Sequence, residues 1–374
     1  MALREDLRLD ANAEDFSAVT RVSIGPRGQI AIPLYRDLHV RLYDADGRRI
    51  ATVGRRGSGP GEFGSLTALG WIRDTLWVLD GAQKRTTFVA PDGSVLRTVA
   101  FTLPLGEGTA GPGGRSLLSF GSLGMFADGS MLGQARQEAR GSAAREAWGE
   151  RVLVHVTRSG QATVVGPVPD EHDPRWFLTL SGFGRYLPFA FRPQVVVAGD
   201  GQRVGYLTTE ITSSTGGTHS VLVLRQNGDT VFHRAFPFRG TPIPRRAADS
   251  AIAALAPPPG RPVEGPADLT SRFQALARER MPPVYAPVQS MALGIDGTVW
   301  VTLRDSAQTR MTMILNGRGD PIGRVRLSPR TRVWAGSASH LWMGESDADG
   351  VVSVVRYRII GLNCGRGGCG PGGD

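Results

Sequence analysis

The residues whose chemistry stands out first are acidic. Asp37, Asp80, Glu210, Asp305 and Glu345 each fall near the end of what reads as the second strand of a repeated unit. Carboxylates converging on a shared axis would offer oxygen ligands to a hard divalent cation, so a calcium ion in an axial channel is one expectation. A simpler one competes with it. Asp80 and Asp305 are each followed five residues later by an arginine, Arg85 and Arg310, on the adjacent strand. That spacing suits internal ion pairs, Asp80 with Arg85 and Asp305 with Arg310, that tie the second strand to the third.

The histidines are His39, His155, His172, His219, His233 and His340, at unrelated positions within the repeats. Zinc chemistry needs about three converging ligands, and this scatter does not supply them. His172 lies in the run from Asp170 to Phe177, where His172, Arg175 and Trp176 make the most polar and aromatic loop of the chain. If one loop makes contacts, it is this one; the simpler reading, a surface loop that packs Trp176 and Phe177, is preferred. Gly57-Ser-Gly-Pro-Gly61 lacks the Lys-Ser/Thr pair of a phosphate-binding loop and does not lead into a helix, so it reads as a connector. No Gly-x-Ser-x-Gly elbow occurs, and no catalytic residue is assigned.

The elements that position these residues recur along the chain. Thr75-Leu-Trp-Val-Leu-Asp80 and Thr298-Val-Trp-Val-Thr-Leu303 are both followed by Ala-Gln-x-Arg, a second apolar strand and a glycine turn. Asp46-Gly47, Asp128-Gly129, Asp200-Gly201, Asn227-Gly228 and Asp296-Gly297 punctuate the remaining short strands with pairs suited to positive φ. Six four-stranded antiparallel units follow, at about 19–53, 66–99, 119–165, 195–238, 289–327 and 333–360. A fixed period of this kind predicts an all-β, six-bladed β-propeller. The last unit has three strands, and residues 6–10 supply the fourth, closing the ring. Trp77, Trp300 and Trp342 share one repeat position and read as blade core. Between 241 and 287 the pattern turns helical, with one helix over 246–255 and another from Asp268 to the stop at Pro282-Pro283. Residues 1–360 are thus one domain, with that helical insertion before the fifth blade. Residues 361–374, with Cys364 and Cys369, form a glycine-rich tail expected to be disordered.

Composition narrows the function classes. Of the 43 basic residues only Lys84 is lysine, and the net charge of +9 is spread over scattered arginines rather than gathered in a run. Nucleic acid is therefore disfavoured as a partner. No apolar run approaches the roughly 20 residues that a membrane-spanning helix needs. The N-terminus has no signal-like apolar stretch, which places the chain in the cytoplasm as written, or in the periplasm or cell envelope if an export signal precedes it.

Arg56-Gly-Ser-Gly-Pro-Gly-Glu-Phe63, the Trp77-Val-Leu-Asp80 strand end, Arg85 and Asp92-Gly93 resemble the NHL repeat. Over about residues 5–360 the chain resembles bacterial six-bladed β-propeller proteins, which carry a helical insertion followed by a Pro-x-Tyr-x-Pro stretch. Here that stretch is Pro283-Val-Tyr285-Ala-Pro287, just before the strand from Asp296 to Val301. The resemblance implies a fold and almost no chemistry. The expected function is a non-catalytic binding or scaffolding module, a monomer serving a protein, a peptide or a small molecule. A metal-dependent lactonase or lyase propeller and an RNA-binding NHL-like propeller are the alternatives. Specificity is expected in the long segments 134–150, 167–194 and 240–287.

Overall fold

A computed structural model of the chain describes all residues except 17, 102–113, 127, 138–149, 169–175, 181–182, 200, 256–267, 305–308 and 363–374. The chain begins with β1 (Ala2–Leu9), which pairs far away in sequence. Blade one is β2 (Ser23–Ile24), β3 (Ile30–Leu34), β4 (His39–Tyr43) and β5 (Arg49–Val53). Blade two is β6 (Leu66–Ile72), β7 (Thr75–Asp80), β8 (Arg85–Val89) and β9 (Val95–Ala100). Blade three is β10 (Leu117–Met125), β11 (Met131–Gln137), β12 (Glu150–Val156) and β13 (Ala162–Pro167).

A separate hairpin, β14 (Phe177–Leu180) and β15 (Phe183–Tyr186), precedes blade four. That blade comprises β16 (Gln194–Val197), β17 (Arg203–Ser213), β18 (Gly216–Arg225) and β19 (Thr230–Arg239). Helices α1 (Arg245–Ala253) and α2 (Asp268–Arg280) follow. Blade five is β20 (Val288–Leu293), β21 (Val299–Arg304), β22 (Arg310–Leu315) and β23 (Pro321–Leu327). Blade six is β24 (Thr331–Gly336), β25 (His340–Ser346) and β26 (Val352–Ile360), completed by β1 in the order β1-β26-β25-β24.

The protein is a six-bladed β-propeller, each blade a four-stranded antiparallel meander. Middle strands are buried on both faces because each blade is sandwiched between two others: β3 is buried along its whole length, whereas the outermost β9 is largely exposed. Six apolar clusters fill the six interfaces between neighbouring blades. Trp300 is fully buried, and Trp77 and Trp342 are nearly so, as expected of blade core. The ring closes through β1, which runs antiparallel to β26 from Ala2 opposite Ile360 to Leu9 opposite Val354. Closure satisfies the edge that β26 would otherwise present to solvent.

A meander fixes which loops share a face. Turns between first and second, and between third and fourth, strands leave on one face, here the turn face. Turns between second and third strands, and all blade-to-blade connectors, leave on the opposite, connector face. The turn face is built from tight glycine turns, with φ of 80° at Gly47 and 93° at Gly297, a region L-residues rarely adopt. The long segments all leave on the connector face. There α1, α2 and the β14–β15 hairpin share one small core of Leu178, Leu187, Ile252, Phe273 and Ala277. The hairpin lies within the segment 167–194, read from sequence only as long.

Candidate functional site

A cavity of about 720 Å³ runs along the propeller axis. All six innermost strands contribute, among them Ile24, Leu69, Ser122, Val196, Leu293 and Trp334. Several charged groups of its wall bond across neighbouring blades. Arg27 pairs with Asp74 at 2.8 Å. Asp296 accepts from the Thr298 amide and hydroxyl and from the Ala338 amide of blade six. Arg356 donates to Asp6 at 2.8 Å and to the Ala45 carbonyl at 2.7 Å. Asp6 sits where the β1–β26 register shifts, and it also lies 3.5 Å from His340.

The acids named from the sequence are dispersed, and none of the four described ones lines this cavity. Asp80 is fully buried, and its carboxylate accepts the amides of Gly64, Ser65, Ala82 and Gln83 at 2.7–3.1 Å. Arg85, its cross-strand neighbour, donates to the carbonyls of Ser58, Gly59 and Glu62. The direct Asp80–Arg85 pair suggested by their spacing is thus replaced by a joint hold on the 54–64 connector, whose bent backbone leaves amides and carbonyls without ladder partners. That connector seats Phe63, fully buried, between blades one and two.

Glu345 accepts from the Tyr357 hydroxyl at 2.6 Å and from Arg8 of the closing strand at 2.8 Å. These bonds tie blade six to β1. Asp37 sits in the turn between β3 and β4, its amide bonded to the Leu34 carbonyl. Glu210 is exposed near the end of β17. Asp305 lies outside the described residues, and Arg310, its expected partner, donates to the Thr331 carbonyl. Among the described residues no group of three His, Cys, Asp or Glu side chains is placed to hold a metal ion. Asp80 and Glu345 fasten blade parts.

The strand ends that flank the long segments lie at the connector face. A second cavity, of about 500 Å³, opens there. Its wall takes Gln134 and Arg151 from either side of the blade-three insertion, Val168 and Ala190 to Val195 from the segment before blade four, and Gln289 from the start of blade five. Its polar groups are side-chain amides and guanidiniums. Arg192 lies over the Tyr186 ring at 3.9 Å, a cation–π contact that orients its guanidinium. Arg151 donates to the Gln134 amide oxygen, and Gln194 donates to the Gln289 carbonyl at 2.7 Å. Sequence reasoning pointed to the segments but missed Arg151, Arg192, Gln194 and Gln289, which carry no motif.

Of the expected contact loop, His172 and Arg175 lie outside the described residues. Trp176 is buried and lines a third cavity, of about 480 Å³, together with Glu210 and His233. Three residues named for different reasons thus line one cavity.

No protein-family model matches the chain, and no curated protein is similar to it in sequence. Solved structures do resemble it. A member of the DUF4221 family from Bacteroides vulgatus superposes with a TM-score of 0.50 at 10% identity, covering 96% of this chain and 97% of that one. Virginiamycin B lyase from Staphylococcus aureus gives 0.42 at 10% identity, over 96% and 99% of the two chains. A pyrroloquinoline-quinone-bound aldose sugar dehydrogenase from Streptomyces coelicolor gives 0.41 at 13% identity, over 96% and 98%. At 10% identity the likeness to the DUF4221 member shows the propeller fold alone.

Proposed function

We propose that this propeller is a non-catalytic binding module that takes a peptide or small molecule bearing a free carboxylate at the connector-face cavity. The observation behind this reading is the composition of that cavity. Arg151 and Arg192, with the amides of Gln134, Gln194 and Gln289, face an apolar strip of Val168, Phe191, Pro193 and Val195. Guanidiniums offer carboxylates paired, planar donors, and amides match a peptide backbone in both donors and acceptors. Its volume of about 500 Å³ falls in the usual range for ligand pockets. Parts of blades three, four and five and one connector build it on a rigid ring, an arrangement common to recognition surfaces.

Trialanine and trialanine amide test the reading by isothermal calorimetry. The free acid is expected to bind, and Arg192→Ala is expected to weaken it about tenfold through loss of a charge-assisted bond. Equal affinity for acid and amide, or no change in Arg192→Ala, would contradict it. Stoichiometric calcium or zinc in the purified protein, by elemental analysis, would favour the metal-dependent enzyme reading instead.

A further inference from the structure

We infer that the cleft between blades three and four is a second binding site, built for a neutral saccharide. Its floor is one face of blade four. Tyr206, Thr208 and Glu210 alternate along β17, and the register sets them opposite Leu222, Ser220 and Thr218 of β18. His233 of β19 continues the first row from Leu222. Three rows two residues apart span about 13 Å along the strands, the length of one to two sugar rings. The facing wall is Val168, Trp176 and Pro193, and the enclosed volume is about 480 Å³.

One wall therefore carries hydroxyls, a carboxylate and an imidazole, while the other is apolar and aromatic. A pyranose has the matching asymmetry, with hydroxyls on its edges and C–H groups on its faces. Tyr206 strengthens the assignment. It is 5% exposed, and its hydroxyl has no hydrogen-bond partner among the described residues although it belongs to the cleft floor. A buried hydroxyl without a partner carries a cost that a ligand hydroxyl would remove. Glu210 makes no ion pair within the described residues, which leaves its oxygens to accept from a ligand. A bound anion would meet that carboxylate, and an extended peptide would find a sheet face rather than an edge with which to pair.

The site is independent of the carboxylate-binding cavity, although Val168 and Pro193 border both. Saturation-transfer NMR and calorimetry with cellobiose, maltose and N,N′-diacetylchitobiose test it. At least one is expected to bind, with affinity lowered about tenfold in Glu210→Gln and in Tyr206→Phe, and unchanged in Arg192→Ala. Tyr206→Phe keeps the ring, so a folding defect is not the readout. Silence from all three sugars at millimolar concentration would overturn the inference, as would affinity unchanged in both variants. Binding of putrescine with loss in Glu210→Gln would reassign the cleft to a cation and overturn it equally.

Discussion

Asp80 and Arg85 face each other across the end of the β7–β8 hairpin, yet each grips the blade connector rather than the other. The carboxylate collects amides at the far end of the loop, Gly64 and Ser65, and the guanidinium collects carbonyls at its crest, Ser58 and Gly59. Asp80→Ala removes the acceptor of four part-buried amides and is expected to cost about 2 kcal/mol. Because both side chains hold one loop, the double variant with Arg85→Ala should cost less than the sum of the singles. Urea unfolding of the three variants measures both. Strict additivity would show that the two residues act on independent features.

Closure of the ring by β1 is a second point of test. Without residues 1–9, β26 would present an unpaired edge, and Leu9, now 4% exposed, would no longer cover the interface of blades six and one. The truncated chain is expected to melt roughly 5 °C lower or more and to self-associate through that edge. Calorimetry and light scattering read the two effects separately.

His219 sets a pH dependence. It is buried, stacked on Phe236 at 5.4 Å, and neither ring nitrogen has a hydrogen-bond partner among the described residues. Burial pushes the imidazole from its ordinary 6.5 down to about 4. The unfolded chain therefore takes up a proton first as pH falls. Its titration adds almost no cost above pH 6.5 and destabilises the fold progressively between 6.5 and 4. At pH 5 the loss is about 2 kcal/mol relative to pH 7. His219→Phe, which keeps an aromatic stack, should remove that part of the dependence in chemical unfolding at the two pH values.

Packing between blades five and six can be checked at Gly336. A Cβ there would lie 2.4 Å from Trp300 Nε1, whose N–H donates to Thr298 at 3.1 Å. Trp300 is fully enclosed and has no room to yield. Gly336→Ala is expected to cost about 2 kcal/mol through overpacking. Gly166→Ala, where a Cβ would meet nothing within 4 Å, should change stability by no more than about 0.5 kcal/mol. Equal effects at the two sites would refute the packing argument.

The propeller was legible from residues alone because its signals are local and repeated. Gly47, Gly129, Gly201, Gly228 and Gly297 mark turns by a backbone conformation that needs no tertiary information. Apolar strands between such turns leave few alternatives. Even the two helices and the closing strand could be read, the latter from a blade one strand short. The β14–β15 hairpin was not, since its strands have four residues each and it is held by α2 rather than by a blade.

Side-chain purpose was decided by the tertiary structure. Spacing brought Asp80 and Arg85 opposite one another, but the unmet hydrogen-bonding groups of a connector many residues away determined where each turned. The same holds for both candidate sites. Arg151, Arg192 and Gln289 line one cavity only because blades three, four and five bring them to one face, and Trp176 and Glu210 share another only because blade three ends beside blade four. Turn and strand preferences act between neighbours in sequence, so they can be read there. The partners of a charged or hydroxyl group are chosen by whichever chain arrives at its side, and only the closed ring determines that.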